Sequence, residues 1–379
     1  MFKLFTLFKL FTLLVLAVWC GLPAGMAHAE IIIGLAGPMK GPFAALGGQM
    51  KLGAEAAVAD LNGKGGVLGQ KIKLTIGDDA CDPNQALTVA KNMVNEGISF
   101  MAGHYCPAAA ITASDIYEKE AIQKISPGAT HPLLTARGLA SVYRVSGRDE
   151  QQGIIAGNLL ADQFGGKKVT IVHDGQNYSQ RLADAAKAQL NSRGVNEAIF
   201  QVVKPRAKDY EALVTTLKRN RIDVLYYGGY HKEAGLIARC LHSQGISVVL
   251  ISGDDLATGK FWIAAGRGGE GTLLTFPPDS GKLKHGRAVA NEMRKQGHKP
   301  GPLALRTYAA IQVWAQAAAK AGSLGLEKTT KALNTTIFRT VLGSVTFQNN
   351  GDMKQNGYVW YEWKKGKYTP KVFKKKPTE

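Results

Sequence analysis

Four short turns carry the residues best suited to holding a small solute. In SPGATHP, which begins at Ser126, Gly128 allows close backbone approach, Ala129 follows it, and Thr130 sets a hydroxyl beside loop-end N–H groups. Such a nest suits a carboxylate, although an ordinary turn capped by its own side chain uses the same residues. In ISGDDLATG, Asp255 could pair with an ammonium group. Its neighbour Asp254 could be the exposed partner instead, and either could cap the next helix. Tyr178 and Tyr230 offer rings with polar tips, which wall small pockets well but also pack as half-buried core residues.

Signs of catalysis are missing. The chain has no H-E-x-x-H, no G-x-x-x-x-G-K-[S/T] and no G-x-S-x-G. GRGGEG at 266–271 matches a dinucleotide fingerprint only as a string, lies too late in its strand–helix unit, and reads as a loop. In DDACD, Asp78, Asp79 and Asp82 could bind a cation, yet read as a solvated turn with Asp82 as a helix N-cap. Beyond Cys20 the cysteines are Cys81, Cys106 and Cys240. Cys81 and Cys106, both at the ends of predicted strands, are read as a disulfide that stabilises by about 3 kcal/mol. That bond would occupy the sulfur His104 could otherwise activate. Cys240, in IARCLHSQG, is read as a buried structural thiol. No cofactor and no metal are expected.

These turns need a scaffold, and the chain supplies one. Apolar runs at 31–36, 72–76, 98–102 and 121–125 read as strands, alternating with helices at about 46–61, from Asp82, and at 109–120. After a break near 147–150 the rhythm restarts. Strands are predicted at 168–173, 198–203, 224–228 and 248–252, with helices at 180–192, 210–219 and 232–242. A second break at Pro277 and Pro278 precedes a helix over 303–321 and a β-rich end around Val345 and 358–363. Strand and helix in strict alternation means parallel sheets covered on both faces. Two doubly wound α/β halves follow, and such sheets bind ligands outside the carboxyl ends of their strands. The turns singled out above all follow predicted strands.

Composition narrows the class further. Of 379 residues, 47 are Lys or Arg and 29 Asp or Glu, a net charge of +18. The basic residues are spread along the chain, clustering only at 364–376, and no nucleic-acid motif accompanies them, so the charge reads as a solvated surface. Residues 1–29 read as a signal peptide: Lys3 and Lys9, an apolar run over 10–22, then Ala27-His28-Ala29 for cleavage before Glu30. The run is short for a membrane span. Trp19 before Cys20 argues against a lipoprotein signal, so export to the periplasm is expected.

Eight segments in order resemble the periplasmic leucine/isoleucine/valine-binding family: GPMKGP from Gly37, GAEAAVADLNGKGGVLGQK from Gly53, DDACDPNQA from Asp78, GHYC from Gly103, ASDIYE from Ala113, LTARG from Leu134, IVHDGQNY from Ile171 and YYGGYH from Tyr226. The resemblance implies a type I periplasmic binding fold, with two lobes joined by a three-strand hinge and closing on ligand. It places residues 30–149 with 279–354 in one lobe and 150–278 with 355–379 in the other. It implies capture of a small amino acid or related carboxylate or amide, by a monomer, for the permease and ATPase subunits of an ABC importer. A ligand sensor of the same fold, signalling through a membrane receptor or kinase, is the alternative. The family's disulfide matches Cys81 and Cys106. Its ligand contacts map to Pro107, the Gly128–Ala129–Thr130 loop, Tyr178, Tyr230 and Asp255. Here the family's serine is Pro107, which removes a hydroxyl and an N–H, the ring-bearing position in the first turn is Leu46, and the usual acid is shortened at Asp255. A lost hydrogen bond to a charged ligand costs about 1.5–3 kcal/mol, unless His131 or Lys40 replaces it.

Overall fold

The computed structural model describes residues 30–205, 207–355 and 357–373. The expected leader, with its cleavage point after Ala29, lies outside the described residues. Two sheets organise the chain. The first contains β1 (Ile31–Gly37), β2 (Ile72–Asp78), β3 (Phe100–Gly103), β4 (Gln123–Ser126) and β5 (Val142–Arg144). Its order is β2-β1-β3-β4-β5, parallel throughout. Helices α1 (Ala44–Gly63), α2 (Pro83–Asn95) and α3 (Pro107–Lys119) cross over between its strands, and a single turn, α4 (Leu133–Ala136), follows β4.

Helix α5 (Asp149–Phe164) opens the second half, where β6 (Val169–His173), β7 (Ile199–Val202), β8 (Val224–Gly228), β9 (Val249–Ser252) and β10 (Leu273–Phe276) alternate with α6 (Asn177–Ser192), α7 (Glu211–Arg219), α8 (His231–Ser243) and α9 (Gly259–Ala265). The chain then passes back to the first sheet. Helices α10 (Lys284–Lys295), α11 (Pro302–Ala321) and α12 (Leu326–Thr335) and the hairpin of β11 (Phe338–Thr340) and β12 (Gly343–Val345) follow. A last passage delivers β13 (Val359–Lys364) and β14 (Lys367–Pro370) antiparallel to the edge of the second sheet, whose order is β14-β13-β10-β9-β8-β6-β7.

Each sheet has its own core. Ile33, Leu35 and Phe100 of the first sheet meet the inner face of α11, where the Trp314 ring stacks on Phe100 at 4.9 Å between centroids. The second sheet buries Ile171 and Tyr226 against α5 and α6, and Leu225 and Leu274 against α8, Phe261 and Trp363. Three passages therefore join the halves: between β5 and α5, between β10 and α10, and between β12 and β13. An ion triad ties the first passage to the third. Asp352 pairs with Arg144 Nε at 2.8 Å and with Arg148 Nη1 at 3.0 Å, and the Arg144 and Asp352 side chains are both buried.

Three sequence expectations change. The break near 147–150 is the start of α5, whose Gly153 and Gly157 weaken the helical signal but let it press on α6: a Cβ added at Gly157 would lie 2.6 Å from the Ala186 carbonyl oxygen. Cys240 is half-buried, with Gln244 Nε2 3.5 Å from its sulfur. The DDACD segment is not a solvated turn. Asp79 is fully buried against His104 Nδ1 at 2.6 Å, Asp78 accepts from the Met39 and Ala80 N–H groups, and Asp82 caps α2 as expected. Cys81 and Cys106 form the expected disulfide, and the His104 ring reaches Tyr117 rather than a sulfur.

Candidate functional site

Parallel strands end together, so the loops after β3, β4, β6, β8 and β9 bring their residues to matching edges of the two sheets. On the first half, Ser126 at the end of β4 is fully buried and its hydroxyl donates to the His104 carbonyl at 2.8 Å. The same oxygen accepts from the Gly128 and Ala129 N–H groups at 3.4 and 3.0 Å. Two amides of the expected nest are thus turned inward. Arg144 holds the loop from behind, donating to the Ala129 and His131 carbonyls at 2.9 and 3.0 Å. The Tyr105 ring, from the loop after β3, lies over Gly128. A Cβ there would sit 2.4 Å from Tyr105 Cδ2, so a larger residue would have to displace the ring. Thr130 accepts from the Asp149 N–H through its carbonyl at 3.1 Å, joining this loop to the first turn of α5. Pro107 is exposed at the first position of α3, after the disulfide-bonded Cys106.

The second half contributes a carboxylate and two rings. The Tyr178 hydroxyl, in the first turn of α6, donates to Asp254 Oδ1 at 2.7 Å. Gln152 of α5 donates to the same oxygen at 3.0 Å, while its own Oε1 accepts from the Asp254 N–H at 2.9 Å and the Thr275 hydroxyl at 2.6 Å. One buried amide thus fixes the loop after β9 to α5 and β10. Tyr230, just before α8, lies beside Tyr178 with ring centroids 5.3 Å apart. Burial first, and the nearby Asp149 carboxylate second, push the Asp254 carboxyl up to about 6. Asp255 points elsewhere: its Oδ2 accepts from the His231 N–H at 2.6 Å and contacts His231 Nδ1 at 2.7 Å, at the start of α8.

Charges of the second half reach site residues of the first. The Tyr105 hydroxyl of the first half is raised chiefly by burial, opposed by Arg306 and reinforced by Asp254 of the second half. His131 is lowered by burial first and then by Arg181 of α6. Lys40 is exposed, and Leu46 packs into the core of the first half. Tyr105, Gln152 and Arg306 were not singled out from the sequence. Tyr105 lay within a strand-end turn and could have been; Gln152 sits in the unrecognised helix and gave no signal. Among the described residues no group of His, Cys, Asp and Glu could hold a metal ion.

With carboxylate, hydroxyls and apolar rings converging from two sides, the arrangement can bind and orient a small polar solute. A separate hollow of about 820 Å³, between Trp262, Arg267 and Lys365, opens at the opposite ends of β9 and β10, away from these loops.

Residues 30–367 match the profile of the family described as periplasmic binding protein. The chain is similar to Leu/Ile/Val-binding protein homolog 1 of Brucella melitensis, 41% identical over 343 residues, 90% of this chain and 92% of the relative. It is similar to an amino acid binding protein of Pseudomonas aeruginosa, 39% identical over 346 residues, 90% and 92% of the two chains. Among solved structures, an ABC transporter substrate-binding protein of Desulfitobacterium hafniense in complex with Leu superimposes with a TM-score of 0.76 at 25% identity, covering 90% of this chain and all (100%) of that one. Among the described residues no helix is long and apolar enough to cross a membrane.

Proposed function

The chain belongs to the periplasmic binding protein family and carries its type I fold, and from that premise we propose that it captures a small amino acid of branched-chain type, or a related carboxylate or amide, between its two halves. The captured solute passes to the permease and ATPase subunits of an ABC importer, with the protein a monomer in the periplasm after its leader is removed. Membership sets the protein among substrate-binding proteins rather than enzymes, in keeping with relatives named for amino-acid binding.

The observation that carries this reading is the Tyr178–Asp254–Gln152 cluster facing the Tyr105-covered loop at the matching strand ends of the two sheets. Asp254 meets the ligand's ammonium group, Tyr178 and Tyr230 wall the cleft, and Gly128, Ala129, Thr130 and Pro107 border it on the first half. Asp255 serves by fixing the start of α8. The lobes are residues 30–149 with 279–354, and 150–278 with 355–379. The three passages between them form the hinge, and closure follows from contacts available only when both walls touch the solute.

Titration calorimetry of the purified protein against the twenty standard amino acids, 4-aminobutyrate, simple carboxylates, sugars and divalent metals tests this. The expected result is saturable binding of one or a few amino acids and none of sugars or metals. No heat from any amine or carboxylate would overturn it.

A further inference from the structure

The cleft must meet the charges of its ligand, and its two walls are unequally supplied. The second half offers carboxylates, but Asp149 is already paired with Arg181 at 3.1 Å and Asp255 with His231 at 2.7 Å, and the proposed function uses Asp254. The first half has little left for an anion. The Gly128 and Ala129 amides are used by Ser126, the Ala129 and His131 carbonyls face Arg144, and Pro107 has no N–H. The loop's remaining donors to a carboxylate are the Thr130 amide and hydroxyl, and neither carries a charge.

Arg306 supplies what the loop does not. It stands on α11 one helical turn after Leu303, whose Cδ1 would lie 3.4 Å from a Cβ added at Gly128. Residues three apart share a helix face, so Arg306 continues the surface that touches the loop. With Ser146, Gly147 and Gly357 it borders an 80 Å³ cavity among the passages between the lobes. Its Nε is buried without a hydrogen-bond partner. The other arginines of the cleft and hinge, Arg144, Arg148 and Arg181, are each bound to a carboxylate. No carboxylate among the described residues is salt-bridged to Arg306. Its charge is felt inside the cleft, at the hydroxyls of Tyr105 and Tyr358, where Asp254 is felt as well.

A buried donor left unpaired is costly, and a guanidinium presents a planar fork matched to a carboxylate. We propose that Arg306 is the carboxylate-binding residue of the cleft, so that the ligand is a small dipolar acid held by its ammonium group at Asp254 and by its carboxylate at Arg306. This rests on the cleft reading above and adds the recognition of the anionic end.

Calorimetry on the full chain tests it, using the twenty standard amino acids and 4-aminobutyrate, with the primary amide of each acid that binds. Wild type is expected to bind the acid at least ~10-fold more tightly than its amide. Arg306→Gln is expected to lose about 10- to 100-fold for the acid and little for the amide, with Arg306→Lys between, as for a lost charged hydrogen bond. Unchanged acid affinity in a folded Arg306→Gln, or equal wild-type affinity for acid and amide, would overturn the assignment and leave the cleft reading standing. Should Arg306→Gln fail to fold, the acid-to-amide ratio of Arg306→Lys decides: a ratio equal to wild type overturns it and a reduced ratio supports it. If wild type binds nothing in the panel, the cleft reading itself fails and this assignment with it.

Discussion

At Asp254 the carboxyl is raised to about 6 by burial and by Asp149, so the charge offered to an ammonium group titrates within reach of ordinary buffers. Two opposite pH dependences follow. Because the folded value lies above the unfolded one, protonated Asp254 contributes stability that is complete below about pH 4 and lost as pH rises through about 6. Ligand affinity runs the other way, since the ammonium needs the ionised form. Affinity for an amino acid is expected to fall about tenfold between pH 7 and pH 5. Asp254→Asn should bind weakly and show no such step, which calorimetry at a series of pH values reads directly. His131, lowered by burial first and then by Arg181, also borders these loops, and a step that survives in Asp254→Asn would assign the effect there. The sequence pointed to the dipeptide and put Asp255 forward as the ammonium partner, whereas the proposal here rests on Asp254. Asp254 and Asp255 are indistinguishable as a string, and only the direction of the 3₁₀ turn at Asp254–Leu256 sends one to Tyr178 and the other to His231.

Among the elements, those with a plain period were legible. Strand β8 falls where the apolar run predicted, and α11 begins one residue before its predicted start. Those built on small residues were not. Helix α5 carries Gly153 and Gly157 on the face it presents to α6, and a glycine in a helix weakens the propensity signal by about 1 kcal/mol. The same feature makes a test of packing in α1. A Cβ at Gly53 would lie 2.0 Å from the Ala304 carbonyl oxygen, whereas one at Gly48, exposed on the same helix, would meet nothing within 4 Å. Gly53→Ala is expected to destabilise by about 1–3 kcal/mol as overpacking. Gly48→Ala is expected to stabilise by about 0.4–1 kcal/mol, by restricting the unfolded chain. Denaturant unfolding monitored by circular dichroism gives both values, and equal effects at the two positions would mean that α1 and α11 are not in backbone contact.

For the whole molecule, alternation of strand and helix was enough to expect two doubly wound sheets with their ligand turns at the carboxyl ends. What it could not give was the routing of the tail. β13 pairs antiparallel with β10, setting Tyr361 opposite Leu274, and β14 pairs antiparallel with β13 at the sheet edge. Nor could it show that Asp352 ties Arg144 and Arg148 across two of the passages between the halves, because that triad exists only once three distant segments have met. In the proposed function, solute is held between those halves at the strand ends. A ligand-bound structure tests it most directly. It is expected to show the ligand's amine about 3 Å from Asp254, with side chains of both lobes in contact with the same molecule. Ligand seated instead in the hollow bordered by Trp262, Arg267 and Lys365, with the Asp254 carboxylate untouched, would contradict it.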